Sequence, residues 1–130
     1  AGEKAREFVN AGNGAIFFKW ILKRFNNAKV MVCATKQSVS RKKTGLIPVH
    51  GYCITGVFEV FGDADVFQLL CLRNTWGKTE WLGDWSDHSP KWEEYPEISK
   101  QVGLNPVDDD GIFYMVIQDF IKHFAVIWHN

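Results

Sequence analysis

At 130 residues, 46% hydrophobic and 23% charged, the chain fits one soluble globular domain and excludes the disordered, collagenous and membrane-spanning classes. Three scattered cysteines, Cys33, Cys53 and Cys71, form no CxxC pair, which excludes a disulfide scaffold and predicts a reducing, cytoplasmic setting. Fifteen Lys+Arg balance fifteen Asp+Glu, yet residues 1–50 hold ten basic against two acidic and residues 51–130 five against thirteen.

Such an asymmetry reads either as a nucleic-acid or membrane-facing patch beside a cation site, or as two solvated faces that neutralise each other. The N-terminal stretch lacks the apolar run of a signal peptide. Residues 1–14 read as a polar lead-in compatible with a helix, ending in the Asn/Gly cluster at 10–14. Ile16, Phe17, Trp20, Ile21 and Phe25 fall at helical spacing with Lys19, Lys23 and Arg24 on the other face, predicting a helix over 15–25. Residues 29–35 are β-branched and apolar enough for a buried strand. Residues 36–49 are polar and basic, with Gly45 and Pro48, and read as a long loop.

Residues 52–61 and 66–73 are two strands joined by Gly62-Asp63-Ala64-Asp65, a hairpin signal. Residues 74–106 are rich in Trp, Gly, Asp and Pro, predicting irregular chain with short helices near 91–94 and 97–101. A strand over 112–117, a helix over 118–124 and a last strand over 125–128 complete the chain. The fold class expected is α+β, a mainly antiparallel sheet with a few flanking helices, forming a single domain over residues 1–130.

Of four histidines, His123 and His129 read as surface residues, whereas His50 stands where the long loop enters a strand, an exposed lip with a rigid floor. Asn74 ends the second strand of the hairpin. Its distance from the turn resembles that of His50, so the two side chains are expected as cross-strand neighbours. An imidazole beside a carboxamide is the orienting half of a Cys-His-Asn nucleophilic system. In that arrangement the Asn oxygen is expected to accept the Nδ1 proton, leaving Nε2 aimed at a thiol, with Trp76 keeping water off the bond.

None of the three cysteines suits the thiol role. Cys53 lies three residues from His50 on one strand, so the two side chains point to opposite faces. Cys33 and Cys71 sit in apolar strands, whereas reactive thiols need an accessible, electropositive setting. The same face argument removes His50 and Cys53 as a zinc pair.

Three blocks carry a family resemblance. Residues 49–57 (VHGYCITGV) are similar to the Gly-His-Ala-Tyr-Ser-Val-Thr-Gly stretch of calpains. Residues 72–87 (LRNTWGKTEWLGDWSD) resemble their Arg-Asn-Pro-Trp-Gly…Glu-Trp-x-Gly-x-Trp-x-Asp run, and residues 110–120 (DGIFYMVIQDF) their Asp-Gly-Glu-Phe-Trp-Met…Asp-Phe ending. Residues 15–130 follow this order. The resemblance implies the second subdomain of a papain-like protease core, which carries His and Asn while the first carries the nucleophilic Cys and the oxyanion-hole Gln. It implies His50 as general base and then acid, Asn74 as its orienter, and Trp76 as shield in the cleft between halves.

It also implies a calcium site built from Glu80, Asp87, Asp110 and the carbonyl of Asp108, since calcium takes six to eight oxygens from such groups. Ile112 stands where calcium-switched calpains place Glu, which predicts weakened binding, with Asp109 as a compensating ligand. Val49, Gly51 and Thr75 are further departures.

The expected function is therefore the His/Asn half of a calpain-type, calcium-regulated intracellular cysteine endopeptidase, inactive without its Cys-bearing partner subdomain and acting on protein substrates. A calpain-like module that has given up proteolysis for a regulatory or interaction role is the alternative. A nucleic-acid-binding domain has only the charge asymmetry behind it, because the basic loop at 36–49 has no interleaved aromatic platform.

Overall fold

Helix α1 (Ala15–Asn27) forms where apolar side chains recur at helical spacing, and it buries Phe17, Phe18 and Ile21. Those three side chains supply one face of the main core. The structure is a computed structural model, and it describes residues 4–7, 12, 14–103 and 110–130.

A six-stranded sheet runs in the order β1 (Lys4–Glu7), β6 (Phe124–His129), β2 (Met31–Thr35), β3 (Gly51–Gly62), β4 (Asp65–Asn74), β5 (Ile112–Val116), with every neighbouring pair antiparallel. The α+β expectation holds, and the β3–β4 hairpin turns at Gly62 and Asp65. The described part of the polar lead-in, however, is strand rather than helix. Residues 4–7 pair with 126–129, and Arg6 stacks its guanidinium 4.7 Å from the ring centres of Phe17 and Trp20. Long-range pairing and cation–π contact outweigh a local helical tendency there. The long basic loop also contains one turn of helix, α2 (Arg41–Thr44), whose start is capped by Ser40 accepting from the Lys43 amide.

The hairpin and β5 are covered on both faces. On one face Leu70, Leu72, Phe113 and Met115 pack with α1 and with Ile117 and Phe120 of α5 (Ile117–His123). On the other, Leu69, Cys71 and Tyr114 pack with Trp85 and with Ile98 and Val102 of α4 (Pro96–Val102). The Trp-rich segment folds as expected into irregular chain plus α3 (Lys91–Glu94) and α4. Aromatic edges hold it together: Trp85 lies 4.9 Å from Trp92 and 5.2 Å from Phe67.

One irregularity in β3 positions the site. The register with β4 shifts between Ile54 and Gly56, so Thr55 is an extra, bulged residue. Burial follows the shift: Tyr52 and Ile54 share the α1 face with Val57, whereas Phe58 and Val60 face α4. Gly56 suits the bulge because a Cβ there would come within 2.5 Å of the Phe58 ring. Were Thr55 paired as in a regular ladder, Asn74 would lie opposite Cys53. With Thr55 bulged, Asn74 lies opposite Tyr52, and therefore on the face that His50, two residues before Tyr52, also shares.

Candidate active site

His50 is fixed through its backbone. Its N–H donates to Thr35 Oγ1 at 3.0 Å, and its carbonyl accepts from the Thr35 amide at 3.2 Å. Thr35 ends β2 as a buried residue, and its hydroxyl donates in turn to the Ile47 carbonyl at 2.6 Å. The His50 ring stands edge-on to Tyr52, with centroids 5.0 Å apart at 82°. Tyr52 is fully buried and accepts from the Ile47 amide, so the imidazole rests on a rigid aromatic floor.

Asn74 is 4% exposed at the end of β4. Its Oδ1 lies 2.8 Å from His50 Nε2, the neighbourhood expected from the hairpin arithmetic. Two further bonds decide which amide atom faces the ring. Trp76 N–H donates to Oδ1 at 2.9 Å, and Nδ2 donates to the Thr79 carbonyl at 3.0 Å. A backbone N–H needs an oxygen and a carbonyl needs an N–H, so the carboxamide orientation is set without reference to the imidazole. Facing an acceptor, Nε2 must carry the proton in the neutral ring.

That outcome corrects the expected polarity of the pair. Nδ1, not Nε2, is the nitrogen left with a free lone pair for a thiol. Sequence does not specify which ring nitrogen meets Asn74, because that depends on how the folded chain presents the imidazole to the carboxamide. The Trp76 indole is 82% exposed, and the bond the residue makes to the pair is its backbone N–H on Asn74 Oδ1.

The cysteines stay outside this arrangement. Cys33 and Cys71 are buried, and burial pushes both thiols up from their ordinary range. Cys53 pairs with Arg73 and Val32, out of phase with Tyr52 and so on the face opposite His50. His123, expected at the surface, is half-buried against Trp81 at 5.3 Å, and burial followed by Lys122 and Lys36 lowers its pKa.

Three of the four expected calcium ligands come together. Carboxylate oxygens of Glu80, Asp87 and Asp110 all lie within 4.8 Å of one another. Asp108 and Asp109 fall outside the described residues. Partial burial and then the hydrogen bond to the Asp87 carboxyl push Glu80 up to about 8. Three hard oxygen donors fit calcium better than a softer metal. Glu80 Oε2 also accepts the Gly111 amide at 2.8 Å, and Asp110 Oδ1 accepts the Ile112 amide at 2.8 Å. Thr35, Thr79 and Gly111 were not singled out from the sequence. Only the Asp-Gly pair at 110–111, a turn signal, hinted at one of them.

Comparison with known proteins identifies relatives of the chain. The family profile "Calpain family cysteine protease" matches residues 3–128. Human calpain-14 is 40% identical over 101 residues, covering 78% of this chain and 15% of that protein. Mouse calpain-9 is 35% identical over 114 residues (83% of this chain, 16% of that protein), and the mouse calpain-2 catalytic subunit is 32% identical over 116, with the same coverage. The chain thus spans about a sixth of the length of these relatives. By sequence, this chain belongs to the calpain family of cysteine proteases.

Proposed function

We propose that this chain is the His/Asn half of a calpain-type cysteine endopeptidase core, which acts on protein substrates inside the cell once joined to a Cys-bearing half. The observation that carries the proposal is the contact between His50 Nε2 and an Asn74 oxygen whose orientation Trp76 and Thr79 already determine. A carboxamide in that place holds the imidazole in one tautomer without adding a charge.

In the assembled enzyme, His50 Nδ1 takes the proton of the partner half's thiol. The thiolate then attacks the scissile carbonyl, the resulting imidazolium returns the proton to the departing amine, and the thioester remains. His50 next removes a proton from water as that water attacks the thioester, and the proton finally returns to the thiol. Throughout, Asn74 keeps the ring aimed, and the buried Tyr52 floor supports it. Because the three cysteines are buried or face away, the chain alone has no nucleophile and is inactive.

Calcium regulation belongs to the same proposal. Glu80, Asp87 and Asp110 would hold the ion, with the Asp108 carbonyl as a further ligand implied by the family resemblance. The ion would neutralise their mutual repulsion. Ile112 supplies no anionic ligand, which favours weak binding.

Co-expression of this chain with the Cys-bearing half of a calpain core, assayed on a fluorogenic peptide, tests the reading. Cleavage is expected only from the pair, and His50→Ala should abolish it. Cleavage by the chain alone, or an active pair carrying His50→Ala, overturns the proposal. A pair that assembles but never cleaves favours the non-proteolytic module.

A further inference from the structure

Asn74 is held by more than its contact with His50. Its backbone N–H donates to the Gly111 carbonyl at 2.8 Å, and the Gly111 amide donates to Glu80 Oε2 at 2.8 Å. One peptide back along the chain, the Thr79 carbonyl accepts Asn74 Nδ2 at 3.0 Å. These bonds close a ring that leaves Asn74 through its backbone and returns through its side chain. Glu80 is the member that ties the two arms together.

The Gly111 position requires glycine: its φ of +79° is a left-handed value, and a Cβ would come 2.8 Å from the Gly77 carbonyl oxygen. Gly111 is the single residue between the Glu80 carboxylate and the Asn74 amide, so a shift of that carboxylate reaches Asn74 through one residue.

We propose that Glu80 is a positioning residue for the His50–Asn74 pair, clamping Asn74 through the Gly111 amide independently of any bound cation. The role rests on reading His50 as the base and Asn74 as its orienter. What it requires of Glu80 is reach and an acceptor oxygen, not negative charge. A glutamine keeps both. An aspartate keeps the carboxyl group but is one methylene short of the Gly111 amide.

The test is hydrogen exchange by NMR on the 130-residue chain in chelator-containing buffer, reading the Asn74 amide and the His50 Nε2 proton. Glu80→Gln should leave both rates within about twofold of the parent, while Glu80→Asp and Glu80→Ala should speed both by about tenfold or more. The amides of Val60 and Phe67, paired at the turn end of the β3–β4 hairpin, should keep their rates in all three variants. Fast exchange in Glu80→Gln, slow exchange in Glu80→Asp, or a uniform loss that includes Val60 and Phe67 in Glu80→Asp each overturns the clamp. The peptidase assay is a separate measurement: a chain with the clamp intact that yields no active pair loses the functional reading and keeps the clamp.

Discussion

Asn74→Ala isolates what the carboxamide contributes, because it removes three hydrogen bonds and little volume. The lost partners are His50 Nε2, the Trp76 amide and the Thr79 carbonyl, at 2.8, 2.9 and 3.0 Å. Neutral hydrogen bonds contribute about 1 kcal/mol each in net terms, so the ceiling is about 3 kcal/mol. Trp76 is exposed and Thr79 half-exposed, so water replaces part of what is lost, and about 2 kcal/mol is the expected destabilisation. With a urea m-value of about 2 kcal/mol/M, typical for small domains, the midpoint should fall by about 1 M at unchanged slope. His50→Ala loses one hydrogen bond and one edge-on ring contact from a half-exposed position, and should cost about 1 kcal/mol. The assay is urea unfolding followed by tryptophan fluorescence, completed by the double variant, for which a coupling of about 1 kcal/mol is expected. An Asn74→Ala midpoint shift below about 0.3 M, or a His50→Ala cost equal to that of Asn74→Ala, would refute the view that Asn74 is anchored independently of the imidazole.

Deleting Thr55 removes the bulge but leaves Ile54 opposite Leu72 and Tyr52 opposite Asn74, so the NMR contact between the His50 ring and the Asn74 side chain should persist; its loss would show that the pairing beyond the bulge does not set the face. Gly56→Val, forced against the Phe58 ring, should cost about 2 kcal/mol in the same urea assay, and a neutral effect would count against close packing at the bulge. His123 has a pKa below its ordinary 6.5, so the unfolded chain takes up the proton first and the native state loses stability as pH falls through that range. Compared with His123→Phe, which keeps a ring against Trp81, the parent should be level above about pH 7.5 and lose ground toward about pH 5; parallel curves would remove the depressed histidine as the cause. Calorimetry with millimolar calcium should give weak heat that Asp87→Ala abolishes; no heat in the parent means that the switch is absent, and equal heat in both means that the ion sits elsewhere.

The features legible in the chain are those that short-range pattern controls. The periodicity of residues 16–25 marks α1, the Gly62–Asp65 turn gives the hairpin, and Pro, Gly and aromatic density mark the irregular segment before α3 and α4. Counting from that turn also brings His50 and Asn74 to one end of the sheet, and the resemblance names the acids around Glu80. Tertiary structure decided the rest. An alternating strand pattern carries no mark of one extra residue, so the Thr55 bulge, and with it the set of β3 residues that share the face of Asn74, emerges only when β3 is matched to β4. Strand β1 exists because β6, more than 100 residues further along the chain, and the aromatic rings of α1 offer it partners. The polarity of the imidazole depends on an amide whose two ends are committed to Trp76 and Thr79, and the clamp on Asn74 depends on Gly111, 37 positions further on. Local propensity acts over a few residues, whereas hydrogen-bond direction at a site is set by segments that meet only after the sheet has formed.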